Sequence, residues 1–256
     1  MEFQEEIRRK KGREKIIMLT AYDYQTAKIL DEMKIDIILV GDSLGTVVQG
    51  HSDTKSVTME DMIYHTRAVA RGVKDTPIIG DMPINSYSTA EKGLKNALRF
   101  LDAGARGVKI EGNKPEIVKT LVGAGIPVMG HVGMLPQTAE SYRVKGKTPE
   151  EAEKILQDAI QLDACGIFSI VLECIPESLA EKITSRVNTP TIGIGAGKYC
   201  DGQVLVINDM LGLDKDFKPK FVKIYADLNA VVKDALAKFR EEVLAGKYPD
   251  EEHTYH

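Results

Sequence analysis

Eight short apolar, β-branched runs, bounded mostly by glycine, aspartate or proline, set the limits on what this chain can fold into. They are Lys15–Asp23, Ile35–Asp42, Pro77–Pro83, Gly107–Gly112, Pro127–Gly133, Phe168–Cys174, Pro190–Gly197 and Gly202–Ile207. Helical periodicity lies between most of them, over Tyr24–Lys34, Met59–Val73, Thr89–Ala103, Pro115–Gly123 and Pro149–Cys165. Strands that read as continuous apolar runs are buried on both faces, and parallel strands need a crossover helix between them. Eight such units in 256 residues predict a (β/α)8 TIM barrel. A doubly wound open sheet is the second choice, and no GxGxxG follows the first run to support dinucleotide binding.

Cap signals agree with these boundaries. Thr58 precedes Glu60 and Asp61, and Thr148 precedes Pro149, with Glu150 and Glu151 in the first turn. Gly104, Gly125 and Gly166 follow helices as C-terminal caps. Residues 2–11 predict a short charged helix, Phe221–Ala245 a long final helix, and Gly246–His256 a polar tail. No linker interrupts the chain, so residues 1–256 are expected to form a single barrel domain.

Charge narrows the function classes. The net charge is −4 and no basic stripe is visible, so phosphate-driven nucleic-acid binding is not expected. No apolar run reaches the roughly 18 residues of a transmembrane helix, and the charged N-terminus lacks an apolar signal core. The three cysteines, Cys165, Cys174 and Cys200, show no CxxC spacing, which predicts a reduced, cytoplasmic protein.

Ionisable residues recur at the C-terminal ends of the runs, where a barrel builds its site: Asp23, Asp42, Asp81, Glu111, His131 and Glu173. Side-chain alternation turns Lys109 and Glu111 inward and Val108 and Ile110 outward. The same rule turns Ser169, Val171 and Glu173 inward and Phe168, Ile170 and Leu172 outward. Asp42, Asp81 and Glu111 converging in one mouth would repel each other, and a hard divalent cation such as Mg²⁺ removes the conflict. The alternative for each acid alone is a helix cap, weakest for Glu111 because Asn113 can cap in its place.

Lys109 is either a structural salt bridge to a neighbouring acid or a stabiliser of a developing oxyanion. Glu173, flanked by apolar Leu172, Cys174 and Ile175, suits a general base, with a capping or ion-pair role as its alternative. His131, between Gly130 and Gly133, is a substrate contact or a structural hydrogen bonder, and His51 and His65 carry nothing. Gly193, Gly195 and Gly197 form either a phosphate cradle or a tight packing point, and Ser43 in GDSLG is placed to hold a substrate carboxylate. Residues 43–58 and 133–148, the longest irregular stretches, are expected at the catalytic face.

Together the segments KIIMLTAYDY (15–24), VGDSLG (40–45), GDMP (80–83), VKIEG (108–112), GHVGMLPQ (130–137), VLECIP (171–176), TIGIGAG (191–197) and DGQVLV (201–206) resemble the ketopantoate hydroxymethyltransferase family. The resemblance implies a Mg²⁺-dependent barrel of the phosphoenolpyruvate mutase/isocitrate lyase type. It implies transfer of a one-carbon unit from 5,10-methylenetetrahydrofolate to 3-methyl-2-oxobutanoate through an enolate, on the route to pantothenate. It places Asp42, Asp81 and Glu111 as metal ligands, Asp42, Ser43, Asp81 and Lys109 as oxoacid-binding residues, and Glu173 as the proton acceptor. His131 falls in a family active-site motif. It also implies a homo-oligomer, commonly a decamer. One position departs from the pattern: Asn208 stands where a histidine is usual before Asp209 and Met210. Two rivals are another Mg²⁺ oxoacid enzyme of the superfamily and a non-enzymatic barrel. The lyases carry a cysteine in a KKCGH-like loop, which this chain lacks.

Overall fold

The structure, a computed structural model, describes residues 2–139, 141, 143–214 and 219–256. A helix, α1 (Phe3–Arg9), precedes the first strand, β1 (Ile16–Thr20). There follow α2 (Tyr24–Glu32), β2 (Ile37–Val40), the short α3 (Leu44–Val47), α4 (Met59–Gly72), β3 (Ile78–Asp81), α5 (Ala90–Asp102) and β4 (Gly107–Lys109). The second half continues with α6 (Pro115–Gly123), β5 (Val128–Gly133), α7 (Pro149–Ala164), β6 (Ser169–Glu173), α8 (Glu177–Arg186), β7 (Thr191–Ile194) and β8 (Gly202–Leu205). The eight strands are parallel neighbours in chain order, and β8 pairs back with β1 to close the barrel. Every strand lies inside the run that predicts it, trimmed at its ends. The periodicity singles out neither α8 nor the short α3.

Local chemistry explains the boundaries. Thr58 and Asp61 form a reciprocal capping box at the start of α4, and Thr89 and Thr148 cap α5 and α7. Gly104, Gly125 and Gly166 each take the left-handed backbone just past a helix end.

The barrel interior is layered. Met18, Ile37, Ile79, Met129, Val171 and Ile192 fill its apolar tier. Phe3 and Ile7 of α1 pack on this tier, with Phe3 edge-on to Phe168 at 5.4 Å. Phe168 therefore departs from the outward orientation expected of it. It stands one residue before β6, so strand alternation does not govern it, and its ring joins the interior apolar cluster.

On the outer face the strands need thin side chains where helices press close. A Cβ on Gly80 of β3 would fall 2.2–2.9 Å from ring atoms of Phe100, a fully buried residue of α5. Gly80→Ala is expected to destabilise the protein by about 1–3 kcal/mol through overpacking. That lowers the melting temperature by roughly 2–12 °C in a calorimetric scan. An unchanged melting temperature would mean that α5 yields without loss.

The chain divides into two compact units, one running to Val206 and a second over Ile207–His256. The second contains α9 (Ile207–Met210), α10 (Leu228–Leu244) and a 3₁₀ turn at Glu251–His253. The final helix begins later than the expected Phe221: Tyr225 N–H bonds back to Met210 O, and the Asp227 side chain caps the helix at Ala230 N. Among the described residues no helix is long and apolar enough to cross a membrane.

Candidate active site

Strand alternation carries polar side chains into the tier directly above the apolar one. Ile79 gives way to Asp81, Met129 to His131, and Val171 to Glu173 along the interior face of β3, β5 and β6. β4 enters with Lys109, and the chain continues past its end to Glu111. The register aligns Asp81 with Lys109 and Lys109 with Met129. Asp81, Lys109, Glu111 and His131 are each 4 % exposed or less, so their charges must be answered inside the protein.

The answers are specific. Lys109 Nζ donates to both carboxylate oxygens of Asp81, at 2.8 and 2.7 Å. Asp42 sits in the turn between β2 and α3, and its N–H donates to Asp81 Oδ2 at 3.4 Å. His131 lies between two acids, with Nδ1 3.5 Å from Glu111 Oε1 and Nε2 3.1 Å from Glu173 Oε2. Neither contact has hydrogen-bond alignment, and Glu111 Oε1 is buried without a hydrogen-bond partner. Glu173 keeps 15 % of its side chain exposed at the end of β6. The next residue, Cys174, has φ 47°, a backbone strained for a non-glycine residue. A Cβ on Gly133 would fall 2.3 Å from the Glu173 carbonyl oxygen, so this close approach of β5 to β6 requires glycine.

Electrostatics follow from burial and neighbours. Burial, then the charge of Asp81, holds Asp42 well above the ordinary carboxylate range, against the pull of Lys109. Burial also raises Asp81, although Lys109 opposes it. Burial would raise Glu111 too, but His131 and Lys109 outweigh it and hold Glu111 low. Burial and Lys109 disfavour a proton on His131, yet Glu111 and Glu173 prevail and lift it to about 9. Lys109 is held above the usual lysine range, because Asp81, Glu111 and Asp42 outweigh the cost of its burial.

Of the expected site residues, the structure brings Asp42, Asp81, Lys109, Glu111, His131 and Glu173 into one linked set. Ser43 lies on the same turn as Asp42, with Oγ 2.8 Å from Tyr22 Oη. Asp23 is different: it caps α2 by accepting from Thr26 N–H, the ordinary helix-start role. Asn113 does not cap α6. Lys114 holds that position, and the Asn113 amide donates to Asp158 and Gln161 of α7. Gly197 packs tightly, since a Cβ there would fall 2.5 Å from Glu177 Cγ. The Glu177 carboxylate accepts from the neighbouring Lys198 N–H, so an acid stands where a phosphate cradle would need none. Asn208 belongs to α9 in the second unit.

Gln137 and Tyr87 were not singled out by sequence reasoning. Gln137, 1 % exposed, reaches in from the irregular stretch after β5 to Asp42 and Glu111. Tyr87 donates to it from the segment after β3. The signal available was the position of Gln137 at the end of GHVGMLPQ; nothing local marked Tyr87. Beyond this stretch, a cleft of about 540 Å³ opens between Gly112, Gly133, Leu135 and Ile155.

The donor set suits a hard divalent cation in kind and charge: three buried carboxylates, two of them raised, and a buried Glu111 oxygen that accepts no hydrogen bond. Among the described residues, no three His, Cys, Asp or Glu side chains are grouped so as to hold a metal as they stand. Lys109 occupies both oxygens of Asp81, and Gln137 occupies one oxygen each of Asp42 and Glu111.

Comparison with known proteins places the chain. The family model described as ketopantoate hydroxymethyltransferase matches residues 2–251. The 3-methyl-2-oxobutanoate hydroxymethyltransferase of Syntrophomonas wolfei subsp. wolfei is 50 % identical over 254 residues, covering 96 % of this chain and 92 % of that protein. The protein of the same name from Thermotoga maritima is 51 % identical over 257 residues, covering 98 % and 95 %. Among solved structures, a phosphonopyruvate hydrolase complexed with oxalate and Mg²⁺ aligns with a TM-score of 0.66 at 13 % identity, covering 99 % of this chain and 93 % of that one. 2,3-Dimethylmalate lyase, a phosphoenolpyruvate mutase/isocitrate lyase superfamily member, aligns at 0.63 and 15 % identity, covering 99 % and 92 %. At these identities the structural likeness speaks for the fold.

Proposed function

The chain belongs to the ketopantoate hydroxymethyltransferase family, and from that premise we propose that it moves a hydroxymethyl unit from 5,10-methylenetetrahydrofolate to 3-methyl-2-oxobutanoate, giving 2-dehydropantoate. The observation that carries this reading is the buried polar tier of Asp81, Lys109, Glu111 and His131 above an apolar one. Charged groups so deep are costly unless they do chemistry or bind something.

Asp42, Asp81 and Glu111 are the residues that would hold Mg²⁺. Bound there, the ion would polarise the ketone of the oxoacid and make its C3–H more acidic. Glu173 takes the C3 proton, being the carboxylate of the set with part of its side chain open at the barrel mouth. The His131 ring, with Nε2 3.1 Å from that carboxylate, sets positive potential beside it. Lys109, held cationic by its acidic neighbours, stabilises negative charge developing on the oxoacid oxygen. The Ser43 hydroxyl and the turn around it hold the substrate carboxylate. The enolate carbon then bonds to the folate-borne methylene carbon, both bonds from that carbon to folate nitrogens break, and water supplies the hydroxyl; the protons from C3 and from water end on the two nitrogens, and tetrahydrofolate leaves. No covalent protein intermediate is needed.

The test separates the two half-reactions. In D₂O with Mg²⁺ and no folate, the C3 proton signal of 3-methyl-2-oxobutanoate is expected to fade from the NMR spectrum, and to persist with chelator. Adding methylenetetrahydrofolate then yields 2-dehydropantoate. Absence of both exchange and transfer would overturn the reading. Transfer without prior exchange would place enolisation after folate binding.

A further inference from the structure

We propose that Gln137 is a positioning residue that fixes the carboxylates of Asp42 and Glu111 for a divalent cation, with Tyr87 locking Gln137 in place; this rests on the cation site proposed above. The geometry is a closed hydrogen-bonded circuit. Glu111 N–H donates to Tyr87 Oη at 3.4 Å, and Tyr87 O–H donates to Gln137 Oε1 at 2.7 Å. Gln137 Nε2 donates to Asp42 Oδ2 at 3.0 Å and to Met82 O at 2.9 Å. Gln137 N–H returns to Glu111 Oε2 at 3.2 Å.

Every polar atom of the Gln137 side chain is used. The amide cannot turn over, because its oxygen faces a donor and its nitrogen faces two acceptors. Gln137 thus grips one oxygen of each acid. On Glu111 the grip leaves Oε1 buried and without a hydrogen bond, the oxygen that a cation would take. Partners that orient ligands in this way typically alter metal affinity by about 10–100-fold when removed.

Mn²⁺ serves as the probe, with binding read from the electron paramagnetic resonance of the free ion and no substrate present. Gln137→Ala is expected to weaken Mn²⁺ binding by about 10–100-fold, and Tyr87→Phe by less. Asn96→Ala is the control for mere loss of stability. Its amide donates to Ser86 O at 2.7 Å, on the same segment as Tyr87, and it touches no carboxylate of the site. It should lower the melting temperature and leave Mn²⁺ affinity at the wild-type value. Wild-type affinity in folded Gln137→Ala overturns the proposal. If that variant does not fold, wild-type affinity in Tyr87→Phe overturns it. Equal weakening in Asn96→Ala would also overturn it, by making the effect one of stability. A wild-type protein that binds no Mn²⁺ removes the cation site itself together with this inference, whereas binding that is insensitive to Gln137 removes the inference alone.

Discussion

Glu173→Gln is expected to slow the Mg²⁺-dependent exchange of the oxoacid C3 proton by about 10²–10⁴-fold, the contribution typical of a general base. The substitution is close to isosteric and keeps a polar group 3.1 Å from His131 Nε2, so the fold and oxoacid binding should survive. What it removes is the proposed acceptor for the proton. The loss should therefore appear in the exchange rate, with the dissociation constant for 3-methyl-2-oxobutanoate little changed. Exchange at the wild-type rate in the variant would take the base role away from Glu173. A lost exchange accompanied by lost oxoacid binding would instead make Glu173 a binding residue.

Lys109→Met is expected to have the largest effect on stability. Lys109 is 4 % exposed and answers both oxygens of Asp81, with Asp42 and Glu111 close enough to raise its own pKa. Methionine fills much of the volume but carries no charge to oppose the three acids, each of which Lys109 holds down. Breaking a buried pair from one side costs about 3–5 kcal/mol, which lowers the melting temperature by roughly 6–20 °C in a protein of this size. Oxoacid exchange should also fall by about 10²-fold or more, as when one donor to a developing oxyanion is removed.

The pH dependence of that variant has a definite sign. Asp42 and Asp81 already titrate above their unfolded value of 3.8 in the native fold, and without Lys109 both move higher. The folded state then holds more protons than the unfolded state at pH values above 3.8, so stability falls as pH rises. The gap in melting temperature between Lys109→Met and the parent should widen from pH 5 to pH 8. A constant gap would mean that the acids do not depend on Lys109 for their charge.

The fold was legible because each of its units announces itself over a few neighbouring residues. Strands such as Ile37–Val40 are continuous apolar runs, and α4 opens on Thr58 with Asp61 three residues on. The inward turn of Lys109 and Glu111 needed only the two-residue period of a strand. Outside a strand the same rule holds for Glu111, two residues past β4, but not for Phe168, which turns inward just before β6, and it could not orient Asp42, which lies beyond β2 in a turn.

From the sequence alone came the eight-unit barrel, the acids gathered at its mouth and the family they resemble, since periodicity, caps and motifs are properties of residues near one another in the chain. Only the tertiary structure decided which groups answer those acids. Lys109 is 28 residues from Asp81, and Gln137 is 95 residues from Asp42 and 55 from Met82. Contacts at such separations exist because closing the barrel brings strand ends together and buries charges that must then be paired, and no local pattern records which partner arrives.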